Sequence, residues 1–249
     1  WQRHEAYVRA ALGAGANAAV TERTKTFRAA LRRVWALPCA NAVKEPLWRL
    51  AIDAIPGGRI PGWCCPCSLH RAPPPSSRLH SFWECPVAVA VRDQLRLALA
   101  LGLDPDRASV WLLASPTPAC CGRAWGAVCL AALEAMEFGR RLLWAVRRDA
   151  GWADPGPEGA ALLHRHLLPP HLFAEHVRPH LVRARDDAVA GVANRAAARF
   201  WTNLSDLARQ LSPPPAAWVV PHGHPFLHLS LGCLALHLPA GVADPAAAV

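Results

Sequence analysis

The stretch CCPCSLHRAPPPSSRLHSFWECPVAVAVRDQL, residues 64–95, decides how the rest of the chain is read. Within it Cys64, Cys67, His80 and Cys85 follow the spacing C-x2-C-x12-H-x4-C. Two thiolates two residues apart can grip one ion from a tight turn. A His/Cys pair five positions apart can complete a tetrahedron from a short helical stretch. Three sulfurs and one imidazole suit a single structural Zn²⁺, closed to water by four protein ligands. The competing reading is buried or disulfide-bonded cysteine. Cys65 is set aside because Cys65-x-Cys67 is shorter than the usual grip. His70 lies three residues past Cys67 and would leave Cys85 without a partner at the usual spacing.

A C2HC relative of the DNA-reading finger needs a helix leading into its histidine. Here Pro73, Pro74 and Pro75 occupy that place, and proline removes donors and restricts the residue before it. A retroviral-type knuckle shares the outer spacings but has a far shorter middle loop. The string instead resembles the zinc-binding domain that follows the polymerase in reverse transcriptases of non-LTR retrotransposons. The matching features are Leu47-Trp48-Arg49-Leu50, a Pro56-Gly57-Gly58 turn, Cys64 to Cys67, then His80, Phe82, Cys85 and Pro86 with a helix after. The likeness covers roughly residues 35–102; the first pair reads C-C-P-C rather than C-P-x-C, and the loop lacks the usual acidic residues. The resemblance implies a non-catalytic region that helps hold template RNA or target DNA beside an upstream polymerase region.

Local physics agrees with that layout. Pro86 suits the first turn of a helix, and Val87, Val91, Leu95 and Leu99 recur at helical spacing. Phe82 and Trp83 fall between the last two ligands, where they can cover the metal or stack on bases.

The 249 residues suffice for one large or two small domains, and 53% hydrophobic content supports a core. Without an initiator Met, the chain is expected to be a piece of a longer reading frame. Net charge is +9, with Lys25 and Lys44 the only lysines. Such a balance favours nucleic acid or another polyanion, although an Ala-, Arg-, Gly- and Pro-rich composition also follows from a GC-rich genome. Thiolate ligation and the lack of an apolar opening segment predict an intracellular protein, nuclear or cytoplasmic, that is not secreted.

The expected fold is mainly α: helical regions around a small CCHC zinc knuckle, with few or no strands. The division is 1–56 as an N-terminal helical segment packing on the knuckle, 57–103 as the zinc module, and 104–249 as a C-terminal helical region. Tyr7 to Trp35 reads as helix, with Lys25, Arg28 and Arg32 on one face, a stripe for phosphate or a solvated face. Further helices are expected at 41–55, at 122–148 with Trp125, Cys129, Ala132, Met136 and Leu143 inward, and from about His180 to Leu211. On the last, Arg195 and Arg199 sit one turn apart as a second candidate phosphate contact. Val110 to Leu113 and Trp218 to Val220 are candidate short strands. Phe226 to Leu238 reads as a buried amphipathic helix or docking segment, too short for the roughly 20 residues of a spanning helix.

Other chemistry is thinly signalled. His164, His166, His171, His176 and His180 form one cluster, and His222, His224 and His228 another. Cys120, Cys121 and Cys129 match no ligand pattern, and Asp186-Asp187 lacks the context of a polymerase catalytic turn. No P-loop, GxSxG or HExxH occurs, and polymerase and endonuclease motifs are missing from these residues, so no enzyme activity is expected of them. The alternative to a nucleic-acid role is a zinc-stabilised helical protein–protein module or an inactive element remnant.

Overall fold

Gly13 adopts φ +88 and closes the first helix, so the N-terminal pattern expected as one helix is two. The computed structural model describes residues 2–13, 19–55, 65–67, 77–99, 104–117, 120–149, 178–211, 227–230 and 233–236. The helices are α1 (Gln2–Leu12), α2 (Val20–Trp35), α3 (Asn41–Ile52), α4 (Pro86–Ala98), α5 (Arg107–Trp111), α6 (Gly122–Asp149) and α7 (Arg178–Leu211). A π-helical turn, His80–Glu84, leads into α4, and β1 (Leu227–Ser230) pairs antiparallel with β2 (Cys233–Leu236). The fold is mainly α, as the periodicity indicates.

α6 is the central post. Its inward residues Trp125, Cys129, Ala132, Met136 and Leu143 are all buried, and α2, α3, α4 and α7 pack around it. Two glycines let the neighbours come close. A Cβ at Gly126 would stand 2.8 Å from Val34 of α2. One at Gly139 would overlap Val87 of α4 and lie 2.8 Å from Ala196 of α7. Tyr7 is fully buried, stacks on Trp111 with ring centroids 5.9 Å apart, and donates its hydroxyl to the Trp111 carbonyl oxygen at 2.8 Å. One hydrophobic cluster thus draws on every helix.

Three local expectations differ from the structure. Val110 and Trp111 lie in α5 rather than in a strand, because the Asp106 side chain accepts the Ser109 N–H at 2.7 Å and caps a helix there. α3 ends at Ile52, short of residue 55, where Asp53 turns left-handed at φ 57. The C-terminal apolar stretch forms the hairpin instead of a helix: Leu227 and Leu229 on one strand, Leu234 and Leu236 on the other, alternate inward at the two-residue strand period. Trp218–Val220 lies outside the described residues. Among the described residues no helix is long and apolar enough to cross a membrane.

Candidate metal centre

The site begins with the π turn. Its Cys85 N–H donates to the His80 carbonyl oxygen at 2.7 Å, five residues back. An α-helical turn leaves residues i and i+5 about 140° apart around the axis. The wider i→i+5 closure brings the second back over the first, so His80 and Cys85 face one way. Ser77 Oγ accepts the His80 N–H at 3.1 Å at the start of this turn. Arg92 holds its end, stacking on Trp83 at 4.1 Å and donating to the Trp83 carbonyl oxygen at 2.9 Å. Arg78 ties the same segment to α3, donating to the Leu50 carbonyl oxygen at 3.3 Å and pairing with Asp53 at 3.1 Å.

Cys65, Cys67, His80 and Cys85 converge, each buried, with all four donor atoms within 4.8 Å of one another. Cys65 Sγ lies 3.9 Å from Cys85 Sγ, and Cys67 Sγ lies 3.3 Å from His80 Nε2. This is a Cys3His group that could hold a metal ion. Three of the residues chosen from spacing are therefore together. The fourth position is taken by Cys65, which the spacing argument set aside, while Cys64 lies outside the described residues. The x in Cys65-x-Cys67 is Pro66, and the turn there places both sulfurs inward, a geometry that counting residues does not reveal.

Arg185 of α7 was missed altogether. It is buried and donates to the Pro66 carbonyl oxygen through Nε at 3.0 Å and Nη2 at 2.8 Å. Only its place on the inward face of a helix otherwise lined by Val189, Val192 and Ala196 hinted at such a role.

The electrostatics are those of crowded thiols. Contact with Cys65 pushes Cys67 up to about 12; burial adds to this, and the Arg185 charge opposes it. Cys65 and Cys85 are likewise raised to about 12: within the hydrogen-bonded triad, the bond that lowers each is outweighed by the bond that raises it together with burial. Burial lowers His80 below its ordinary value, against an upward pull from Glu84. Without a metal the cluster is thus three protonated thiols and a neutral imidazole at pH 7. A cation replacing the thiol protons removes the mutual repulsion that keeps them on. Cys85 is also the N-cap residue of α4, where the nearby Val87 backbone and the helix N-terminus favour thiolate.

The remaining candidates are dispersed. Lys25 and Arg32 are exposed on α2, Lys25 pairing with Glu22 at 3.5 Å, and Arg28 is half-buried, donating to His4 Nδ1 at 3.4 Å. Arg195 is exposed on α7. Arg199 is partly exposed and meets buried Glu134 through Nε at 3.1 Å and Nη2 at 3.2 Å. Phe82 is buried in the core, and Trp83 lies under Arg92. Asp186 and Asp187 are exposed on α7, Cys129 is fully buried, and Cys120 and Cys121 are half-buried. His180 is exposed at the start of α7 and His228 lies in β1; the other members of both histidine clusters fall outside the described residues. No family model, curated protein or solved structure matches the chain.

Proposed function

We propose that this chain is a non-catalytic, zinc-binding region of a retrotransposon reverse transcriptase, assisting RNA or DNA binding beside an upstream polymerase region. The observation that carries the reading is the buried Cys3His group. Zinc–sulfur bonds of about 2.3 Å imply a tetrahedral S···S edge of about 3.8 Å, and a sulfur–nitrogen edge of about 3.5 Å. The Cys65–Cys85 separation of 3.9 Å and the Cys67–His80 separation of 3.3 Å fit those edges. Soft sulfur donors with one imidazole favour zinc over hard cations. Four protein donors leave no position for a reacting water, so the zinc is structural. It joins the Cys65–Cys67 turn to the π turn and so to α4.

The sequence resemblance supplies the parent class, and the basic balance supplies the partner. Across α1 and α2, seven basic side chains (Arg3, Arg9, Arg23, Lys25, Arg28, Arg32, Arg33) face two acidic ones (Glu5, Glu22). The test is zinc content of the purified chain beside a Cys85→Ala variant, followed by nucleic-acid binding across a salt series. One zinc per chain, lost in the variant, with binding that weakens steeply as salt rises, is the expected result. A zinc-free intact chain, or binding indifferent to salt, would sink the proposal.

A further inference from the structure

Trp35 and Trp48 are 49% and 44% exposed, and Leu97 is the only other large hydrophobic side chain so exposed among the described residues. The two indoles are neighbours. Their ring centroids lie 6.2 Å apart at an interplanar angle of 40°. Buried Lys44 fixes this arrangement: its Nζ donates to the carbonyl oxygens of Trp35 at 3.1 Å and Leu37 at 2.8 Å, capping the end of α2, and lies 6.0 Å from the Trp35 ring. Trp48 is also one wall of an open cleft of about 600 Å³ that Gln2, Arg3, His4 and Ile52 complete. His4 in turn accepts from Arg28. Aromatic faces of α2 and α3 thus stand beside Arg3, His4 and the Gln2 amide of α1.

We propose that the Trp35–Trp48 pair and the adjoining cleft bind a single-stranded polynucleotide. Unpaired bases stack on the indoles, and Arg3 meets the phosphates. Stacking on an exposed ring accepts any base, because every base has a π face, whereas a duplex hides those faces. Charge complementarity favours this occupant over a protein helix: basic side chains outnumber acidic ones seven to two across α1 and α2, and an apolar partner face would desolvate exposed Arg3 at a cost. The inference rests on the nucleic-acid reading above and adds to it the site and the strandedness.

The experiment is fluorescence anisotropy of a labelled oligouridylate or oligothymidylate of about 12 nucleotides with the intact zinc-loaded chain, over a salt series, against a duplex competitor. Trp48→Ala is expected to weaken binding roughly five- to a hundredfold, and Trp48→Phe to restore most of it. Arg3→Ala is expected to lower the salt slope by about one while leaving the thermal unfolding midpoint unchanged. If Trp48→Ala fails to fold, the Trp48→Phe and Arg3→Ala results decide. Salt-dependent binding that Trp48→Ala leaves unchanged would overturn this site and leave the nucleic-acid reading standing. Preference for the duplex would do the same. Failure of the folded, zinc-loaded chain to bind any oligonucleotide would overturn both; the tryptophan pair would then be open to a protein partner.

Discussion

Arg185 on α7 donates two hydrogen bonds to the Pro66 carbonyl oxygen across 119 residues of chain. The acceptor lies between two of the four candidate ligands, so the longest helix steadies the turn that presents them. Arg185→Leu is expected to cost about 1.5–3 kcal/mol, the worth of a charge-assisted hydrogen bond, read by denaturant unfolding. Zinc affinity should fall with it in a chelator competition. Arg185→Lys should recover only part, because a lysine cannot supply the same planar fork. Unaltered zinc affinity in Arg185→Leu would mean that the turn holds its shape unaided.

Adjacent cysteines provide a second test. Cys65→Ala should abolish stoichiometric zinc, whereas Cys64→Ala should retain it, with metal content by atomic spectroscopy as the measurement. The opposite pattern would return the ligand role to Cys64.

Proton release follows from the thiols. Cys65, Cys67 and Cys85 are held near 12 and His80 is lowered, so at pH 7 the metal-free cluster carries three thiol protons and none on the imidazole. Zinc must displace them, since thiolate is the ligand. Raised thiol values mean that protons compete more strongly, so apparent affinity rises with pH and falls as acid is added. Calorimetry in buffers of differing ionisation heat should give about three protons per zinc. A value near zero would show the thiols already ionised.

The helix crossing at Gly139 sets a packing limit. Glycine to alanine within a helix ordinarily gains up to about 1 kcal/mol. Here the added methyl meets Val87 and Ala196, and overpacking of this kind costs about 1–3 kcal/mol. Gly139→Ala should therefore lower the thermal midpoint, and Val87→Ala in the same chain should recover part of the loss.

Arg199 separates charge that binds from charge that braces. Its guanidinium meets Glu134, which Asn203 also contacts. Arg199→Ala is expected to destabilise by about 1–3 kcal/mol, because buried Glu134 loses a charged partner, and to leave oligonucleotide affinity nearly unchanged. A large affinity loss with unchanged stability would reverse that assignment.

Long helices were legible because their apolar stripes exceed any strand: α6 and α7 lie where periodicity puts them. The His80-x4-Cys85-Pro86 end was legible because Pro86 marks a helix start whatever surrounds it. Cys64 and Cys65 are chemically identical neighbours, and that Cys65 turns its sulfur into the cluster depends on backbone direction through Pro66, a tertiary property. Arg185 was hidden for the same reason, its acceptor being a backbone oxygen with no sequence signature. Residues 227–236 contain leucines at both strand and helix spacings, and only the pairing of Leu227 with Leu236 and Leu229 with Leu234 selects the hairpin.

A chain growing on the ribosome presents Cys65, Cys67, His80 and Cys85 well before it presents Arg185. At about 5–20 residues per second, the gap is on the order of ten seconds. A metal ion meeting the four donors in that interval would find a turn that Arg185 has not yet clamped. If the clamp is what retains the ion, as Arg185→Leu tests, retention is fixed only once α7 has been made.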